Sequence, residues 1–154
     1  MPDLKSFFEP KSIAIIGASN HSEKVGGILM KKILASNNID KIIPINPKHA
    51  GEKIFGIKCY GSILDYKEKE KIDLAVIAVP AEFVSSAIEE CGKKEIKNMI
   101  IISAGFSEVG NKDEEKKIVE IAKKFGIRIL GPNCFGICNP TINLDLTFSL
   151  FLDQ

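Results

Sequence analysis

The sequence lacks any apolar run near the ~20 residues that a membrane-spanning helix needs, and its first residues lack the apolar segment of a signal peptide. It also lacks an excess of one charge, because 21 basic and 20 acidic residues nearly cancel and the lysines are spread along the chain. The charged surface that a general nucleic-acid binder needs is therefore not expected. We predict a cytoplasmic protein that binds neither a membrane nor a nucleic acid.

Paired cysteines are missing as well. The four cysteines contain no Cys-x-x-Cys pair and no histidine at a spacing typical of zinc: Cys59, Cys91, Cys134 and Cys138. Because a cytoplasmic setting keeps thiols reduced, we expect free cysteines and no metal site. The two histidines, His21 and His49, lie in turn-forming segments and are more typical of polar loop residues than of ligands.

What is present is a hydrophobic content of 45% in 154 residues, which is enough for one buried core but too little chain for two ordinary domains. Apolar runs alternate with amphipathic stretches. We predict helices at 25–35, 81–91 and 113–125, strands at 12–16, 41–45, 73–79, 98–102 and 127–130, and a loop with a short edge strand within 52–62. This alternation predicts an α/β fold, a doubly wound, mostly parallel, Rossmann-like sheet with strand order 3-2-1-4-5-6. Residues 1–148 would form a single domain, and 149–154 a tail or the truncated start of a next domain.

The first apolar run ends in a turn of small residues before a helical pattern begins. Parallel α/β sheets present phosphate-binding turns in this way, since a glycine allows the sharp turn and N–H groups at the helix start can face an anion. The stretch is not a G-x-G-x-x-G motif, because Ser19 replaces the second glycine, so an ordinary strand-to-helix turn stays open. The candidate ligand contacts here are Gly17, Ala18, Ser19, Asn20, Lys24 and Gly26. For Lys24, a solvated position in the first helical turn is an equal alternative.

A second turn follows the strand at 41–45 and carries Asn46, Pro47 and Lys48. In a dinucleotide-binding unit, this strand usually ends in an acidic residue that accepts hydrogen bonds from the ribose of NAD. Asn46 stands there instead, and Lys48 could hold a ribose phosphate. The missing acid counts against NAD, while NADP stays open.

Three later strands also end in loops that contain candidate residues. In the predicted strand order the first and fourth strands are neighbours, so the loops that begin at Gly17 and Val79 flank one crevice at the carboxyl ends of the strands. No neighbouring base or cation in the sequence would lower the pKa of Cys134, which favours a small buried thiol over a nucleophile. The candidate residues of these loops are Val79, Pro80, Ser103, Ala104, Gly105, Asn133 and Cys134.

Taken together, these loops resemble those of the N-terminal CoA-binding domain of NDP-forming acyl-CoA synthetases, relatives of the succinyl-CoA ligase α subunit. The resemblance covers about residues 7–148 and rests on five motifs in order: Gly17-Ala18-Ser19 with Lys24-Val25-Gly26, Ile45-Asn46-Pro47-Lys48, Ala78-Val79-Pro80-Ala81, Ser103-Ala104-Gly105-Phe106 with Glu108, and Gly131-Pro132-Asn133-Cys134-Phe135-Gly136. It implies a domain that binds CoA or acyl-CoA in ADP- or GDP-forming ligases, which interconvert acyl-CoA, phosphate and nucleoside diphosphate with acid, CoA and triphosphate. The implied partners are phosphohistidine and nucleotide-binding domains or subunits.

The resemblance also assigns parts of CoA to the loops. The implied contacts are Gly17–Asn20 for the phosphates and pantetheine, Asn46–Lys48 for adenosine, Val79 and Pro80 for the adenine or pantetheine wall, Ser103–Gly105 for pantetheine, and Asn133 and Cys134 near the thiol. His21 and His49 match no catalytic position of the family. No catalytic residue is therefore expected in this chain, which should bind CoA without turnover on its own.

Two other functions compete with this one. A free-standing CoA- or nucleotide-binding module needs the same loops, and an NADP-dependent oxidoreductase or redox sensor needs the same fold. No residue set for hydride transfer is visible, since a second domain would normally supply it. Glu108 is interpreted as a polar surface residue rather than as a carboxylate that acts when a partner domain closes.

Overall fold

The computed structural model describes residues 4–149, so residues 1–3 and 150–154, which include most of the predicted tail, lie outside the described residues. The strands are β1 (Ser12–Ile16), β2 (Lys41–Ile45), β3 (Lys53–Ile54), β4 (Ile57–Lys58), β5 (Leu74–Ile77), β6 (Asn98–Ile101), β7 (Arg128–Leu130), β8 (Cys138–Asn139) and β9 (Leu144–Asp145). The α-helices are α1 (Lys5–Phe8), α2 (Val25–Leu34), α3 (Ala81–Lys93) and α4 (Lys112–Phe125). Among residues 4–149, no helix is long and apolar enough to cross a bilayer.

The main sheet has the order β2-β1-β5-β6-β7, and each pair of neighbours is parallel. This confirms the α/β fold class and the predicted order of these five strands. The predicted short edge strand beside β2 is reduced to a single parallel bridge between Ile45 and Tyr60, because residues 53–58 form the separate β3–β4 hairpin. Gly51 and Gly56 have positive φ angles of 84° and 83°, so the chain turns before an extended run can form.

Both faces of the sheet are buried, as a parallel sheet requires. On one face Ala14 and Ile16 of β1 pack in a cluster with residues of α3 and α4. On the other face Ile13 and Ile15 pack with α2 and with apolar residues of the segment around the β8–β9 hairpin. The alternating sides of one strand therefore contribute to two cores.

A buried cation ties the last described residues to helix α2. The Lys32 side chain is 9% exposed, and its Nζ atom lies 2.9 Å from a carboxylate oxygen of Asp145. Lys32 also donates to the hydroxyl of Thr147 at 3.1 Å, and Thr147 donates to Asp145 from its N–H and hydroxyl at 2.8 and 2.6 Å. Burial alone would raise the pKa of Asp145, but the hydrogen bonds from Thr147 and Lys32 outweigh it and hold that pKa below its ordinary value.

Replacing Lys32 by methionine is expected to lower the free energy of unfolding by about 1.5 kcal/mol, since a charged hydrogen-bond donor is lost. This corresponds to a fall of about 3–6 °C in Tm. Because the pKa of Asp145 is lowered in the folded state, its contribution is complete above the unfolded-state pKa and is lost as the pH falls through the folded-state value. Thermal melts of wild type and Lys32→Met should therefore differ at about pH 7 and converge at about pH 2.

The exposed Lys31 on the same helix is the matched control for this prediction. Lys31→Met should leave Tm nearly unchanged, because surface substitutions away from special contacts have small effects. An equal loss in both variants, or a Lys32→Met deficit that stays constant in acid, would contradict the role of the ion pair.

Candidate functional site

The loops after β1 and β2 are fastened to each other at the carboxyl ends of the strands. The N–H groups of Gly17 and Ala18 both donate to the carbonyl oxygen of Ile45, at 2.9 and 3.2 Å. In return, the side-chain amide of Asn46 donates to the carbonyl oxygen of Ala18 at 2.8 Å. The two turns that the sequence singles out therefore form one structural unit.

The loops after β5, β6 and β7 meet in the same way at Ser103, which is buried. The hydroxyl oxygen of Ser103 accepts the N–H of Val79 at 3.1 Å, and its carbonyl oxygen accepts the N–H of Asn133 at 3.0 Å. Ser103 thus fixes the spacing of three loops. Pro80, Ala104 and Asn133 lie exposed beside it.

Two glycines allow the first loop to approach its neighbours closely. Gly17 has a φ of 98°, and a Cβ atom there would lie 2.4 Å from the carbonyl oxygen of Ala78. A Cβ atom at Gly26 would lie 1.9 Å from the carbonyl oxygen of Gly17. These contacts bring the start of α2, the β1 loop and the end of β5 together, which is where the predicted crevice lies.

The start of α2 offers unbonded backbone donors next to this loop. Lys24 precedes the helix and gives it no side-chain cap. Within residues 4–149, the N–H groups of Val25 and Gly26 have no hydrogen-bond acceptor. Such N–H groups at the positive end of a helix dipole suit a phosphate. The N–H groups of Gly17 and Ala18 are unsuited to this role, since Ile45 already occupies them.

Several polar side chains of the predicted site are used within the protein. Ser19 accepts the N–H of His21 at 3.0 Å, and Asn20 donates to the carbonyl oxygen of Lys53 at 3.0 Å. Asn46, besides its bond to Ala18, accepts the N–H of Lys48 at 3.0 Å. These side chains therefore shape the loops through hydrogen bonds within the protein.

The lysines of the site differ from these side chains. Lys24 and Lys48 are both exposed, and neither lies within ion-pair distance of a carboxylate among residues 4–149. Lys48 sits on the short 3-10 helix Pro47–His49, which the Asn46 side chain begins. A cation is therefore available where strand β2 ends.

Each of the two histidines lies next to a glutamate that is close to it in the sequence. A ring nitrogen of His21 lies 3.5 Å from Glu23, and one of His49 lies 2.7 Å from Glu52. Both contacts are within a few residues along the chain. These positions give no support to a catalytic role for either ring.

Glu108 is exposed, but it also braces the loop after β6. One of its carboxylate oxygens accepts the N–H groups of Gly105 and of Phe106, the latter at 3.1 Å. The bond from Gly105 and then that from Phe106 lower the pKa of Glu108. Its interpretation as a polar surface residue did not include this bracing, because a loop carboxylate without helical or strand periodicity gives no sequence signal of its hydrogen bonds.

Cys134 is half-buried, and its thiol donates to the carbonyl oxygen of Ile101 at 3.4 Å. Burial raises the pKa of Cys134, although backbone hydrogen bonds at Gly136 and at Cys134 itself partly oppose the rise. Because the thiolate is the reactive form, a raised pKa makes this thiol less nucleophilic. The structure agrees with the interpretation of Cys134 as a small buried thiol.

Alkylation should follow these surroundings. Iodoacetamide at about pH 8 is expected to modify the exposed Cys138 first and Cys134 more slowly, since the reagent attacks thiolates that it can reach. Cys91 should stay unmodified until the protein unfolds, because burial raises its pKa to about 12. Mass spectrometry of digests taken over time gives the three rates. Faster modification of Cys134 than of Cys138 would show an activated thiol.

Sequence reasoning missed that the β3–β4 hairpin belongs to this site. Asn20 contacts it twice, through the carbonyl oxygen of Lys53 and the N–H of Phe55. The available signal was a two-residue turn, Phe55-Gly56, between Ile54 and Ile57, which is a hairpin pattern. Its unusual first residue hid the pattern, since asparagine or aspartate normally precedes the glycine.

A family model described as a CoA binding domain matches residues 11–140, which is most of the chain. The chain belongs to this CoA-binding domain family. The predicted resemblance and the predicted ligand, CoA, are thereby confirmed.

Relatives of this CoA-binding domain are longer proteins. The chain is 56% identical to an ADP-forming acetate–CoA ligase of Methanocaldococcus jannaschii over 96% of its own length and 20% of that protein. It is 44% identical to the alpha subunit of ADP-forming acetate–CoA ligase II of Pyrococcus furiosus, over 94% of this chain and 31% of the subunit.

A solved structure gives the same result in three dimensions. An acetyl-coenzyme A synthetase of Ca. Korarchaeum cryptofilum, in complex with phosphate and ADP, matches with a TM-score of 0.87 and 38% identity, over 96% of this chain and 31% of that one. The CoA-binding domain thus spans about a fifth to a third of the length of these relatives. These similarities do not favour a free-standing module or an NADP-dependent oxidoreductase.

Proposed function

We propose that this CoA-binding domain holds CoA for an ADP-forming acyl-CoA synthetase, whose phosphohistidine and nucleotide-binding domains lie elsewhere. The observation that carries the proposal is the set of five strand-end loops at one edge of the sheet, which hydrogen bonds join in two groups. The close approach of Gly17 to Ala78 brings the two groups together. An exposed lysine and two unbonded helix N–H groups lie at that edge. This combination suits a ligand with phosphates at one end and a long uncharged arm.

The parts of CoA are assigned to the loops by their chemistry. The pyrophosphate would lie at the start of α2, where the N–H groups of Val25 and Gly26 are unbonded. Lys48 would bind the 3′-phosphate. The pantetheine arm would pass Val79 and Pro80 and the loop at 103–105, with its thiol near Asn133 and Cys134. Asn20, Asn46 and Ser103 would act as positioning residues, because their side chains hold the loops together.

The polar groups at the end of β2 argue against a dinucleotide oxidoreductase. An NAD site needs a free acceptor there for the ribose hydroxyls. Asn46 supplies a neutral amide in place of a carboxylate, and the amide already donates to Ala18 and accepts the N–H of Lys48. The cation Lys48 then follows, which suits a phosphorylated ribose.

The cytoplasmic setting predicted from the sequence stays a prediction.

The test of this function measures CoA binding and acyl-CoA formation in separate experiments. Calorimetric titration should show that the chain binds CoA, while an assay with acid, CoA and ATP or GTP should show no acyl-CoA formation by the chain alone, since no phosphoryl-accepting histidine matches the family's motif. Adding the phosphohistidine and nucleotide-binding domains of a related synthetase should restore turnover. Turnover by the chain alone that is lost in His21→Ala or His49→Ala would contradict the proposal, as would an absence of CoA binding.

A further inference from the structure

The β3–β4 hairpin turns at Phe55-Gly56 directly beside the first strand-end loop. Both residues have positive φ, 45° for Phe55 and 83° for Gly56. Two-residue hairpin turns of this kind favour asparagine, aspartate or glycine at the first position, because other side chains disfavour the left-handed backbone. Phe55 therefore occupies a position that the turn itself does not favour.

Contacts from both sides hold this turn in place. Asn20 of the first loop accepts the N–H of Phe55 at 2.8 Å and donates to the carbonyl oxygen of Lys53 at 3.0 Å. Ile54 is fully buried and packs in the same core cluster as α2. The hairpin cannot move away from the loop after β1 without breaking these contacts, so Phe55 stays beside that loop.

The Phe55 side chain is not part of the hydrophobic core. It is 38% exposed and belongs to neither apolar cluster, whereas its neighbours Ile54 and Ile57 both pack in one of them. A disfavoured backbone conformation that the surroundings impose is typical of functional sites. A partly exposed aromatic ring held beside the loop of the proposed CoA site is therefore placed where a ligand could contact it.

We propose that Phe55 stacks on the adenine ring of bound CoA. The inference rests on the proposed function, in which Lys48 binds the 3′-phosphate and so places adenosine at the end of β2. The chain runs from Lys48 into β3 within a few residues, and Asn20 joins the hairpin tip to the loop after β1, which leads to the start of α2. A purine offers a flat π face, and stacking on an aromatic side chain requires no particular hydrogen-bonding pattern.

The first test removes the aromatic ring of Phe55 and compares CoA with two fragments of CoA. Phe55→Ala should weaken CoA binding roughly 5- to 30-fold in calorimetric titration, the range for loss of one partly exposed stacking contact. The loss should be similar for adenosine 3′,5′-bisphosphate, which keeps the adenine, and absent for 4′-phosphopantetheine, which lacks it. Phe8→Ala is the matched control, since Phe8 is 45% exposed and precedes β1 at the opposite edge of the sheet.

Two further variants test the stacking contact even if Phe55→Ala changes the stability of the turn. Phe55→Asn should raise Tm, because asparagine suits the turn, and should still weaken CoA binding like Phe55→Ala. Phe55→Trp introduces a tryptophan into a chain that has none, so its fluorescence reports on position 55 alone. CoA and adenosine 3′,5′-bisphosphate should quench this fluorescence, and 4′-phosphopantetheine should not.

The outcomes distinguish this inference from the proposed function. Unchanged CoA affinity in Phe55→Ala and Phe55→Asn would overturn the stacking contact while leaving CoA binding intact. An equal loss for CoA and 4′-phosphopantetheine would overturn it too, since the ring would then serve the loop or the pantetheine arm. A wild-type protein that does not bind CoA would overturn the proposed function and the stacking contact together.

Discussion

Replacing Gly26 by alanine is expected to destabilise the domain and to weaken CoA binding, although alanine is the better helix former. In the helix interior, alanine gains about 1 kcal/mol over glycine. Its Cβ atom, however, would lie 1.9 Å from the carbonyl oxygen of Gly17, and the obstacle is backbone that cannot rotate away. Overpacking of this severity costs about 3 kcal/mol, so the net loss is about 2 kcal/mol, or about 4–8 °C in Tm.

The loss of CoA affinity has a separate cause. Relieving the clash moves the start of α2 away from the β1 loop, and the N–H groups of Val25 and Gly26 move with it. We expect CoA affinity to fall by at least roughly tenfold, which is the loss of one good hydrogen bond. Calorimetric titration beside a thermal melt separates this effect from the change in stability.

Gly51→Ala is the control for replacing a glycine near the site. Gly51 has a positive φ of 84°, but no atom lies within 4 Å of a Cβ placed there. It should therefore show only the cost of the left-handed backbone and should keep its CoA affinity. If Gly26→Ala is as stable as wild type and binds CoA equally well, the close contact between α2 and the β1 loop does not govern the site.

Replacing Lys48 by alanine is expected to remove the preference of the protein for CoA over dephospho-CoA. The Asn46 side chain and Pro47 fix the short helix that carries Lys48, so this exposed cation is held at the end of β2. A charge-assisted hydrogen bond to a phosphate is worth ~1.5–3 kcal/mol, so CoA affinity should fall roughly 10- to 150-fold. Dephospho-CoA affinity should stay nearly constant, because that ligand lacks the group that Lys48 binds.

Titrations with both ligands at low and high salt check this prediction. Lys31→Ala is the control, since it removes an exposed lysine from the solvent side of α2 and tests the effect of net charge alone. Lys48→Arg should retain most of the preference. If Lys48→Ala keeps the full preference for CoA, or if NADP binds more tightly than CoA, Lys48 is not the residue that reads the 3′-phosphate.

Much of the architecture could be predicted because its signals are local. The run Ile13-Ala14-Ile15-Ile16 before Gly17 predicts a buried strand and a turn, and the helical spacing after Lys24 predicts α2. Parallel strands joined by right-handed crossovers then leave few possible orders. The loop and short edge strand predicted within 52–62 are a hairpin followed by a single bridge of Tyr60 to β2, since the glycine spacing does not show where the chain turns.

The sequence by itself determined the order of the main strands and helices, the edge of the sheet where the candidate loops gather, and the family to which the chain belongs. These features follow from hydrophobic periodicity, glycine positions and short motifs, all of which are local along the chain. Only the tertiary structure decided which polar groups remain for a ligand. Asn20 and Asn46 bond to residues 28 to 35 positions away, and Lys32 bonds to Thr147, 115 positions away. Hydrogen-bond partners so distant in sequence are chosen by packing, because the fold alone brings their atoms within bonding distance.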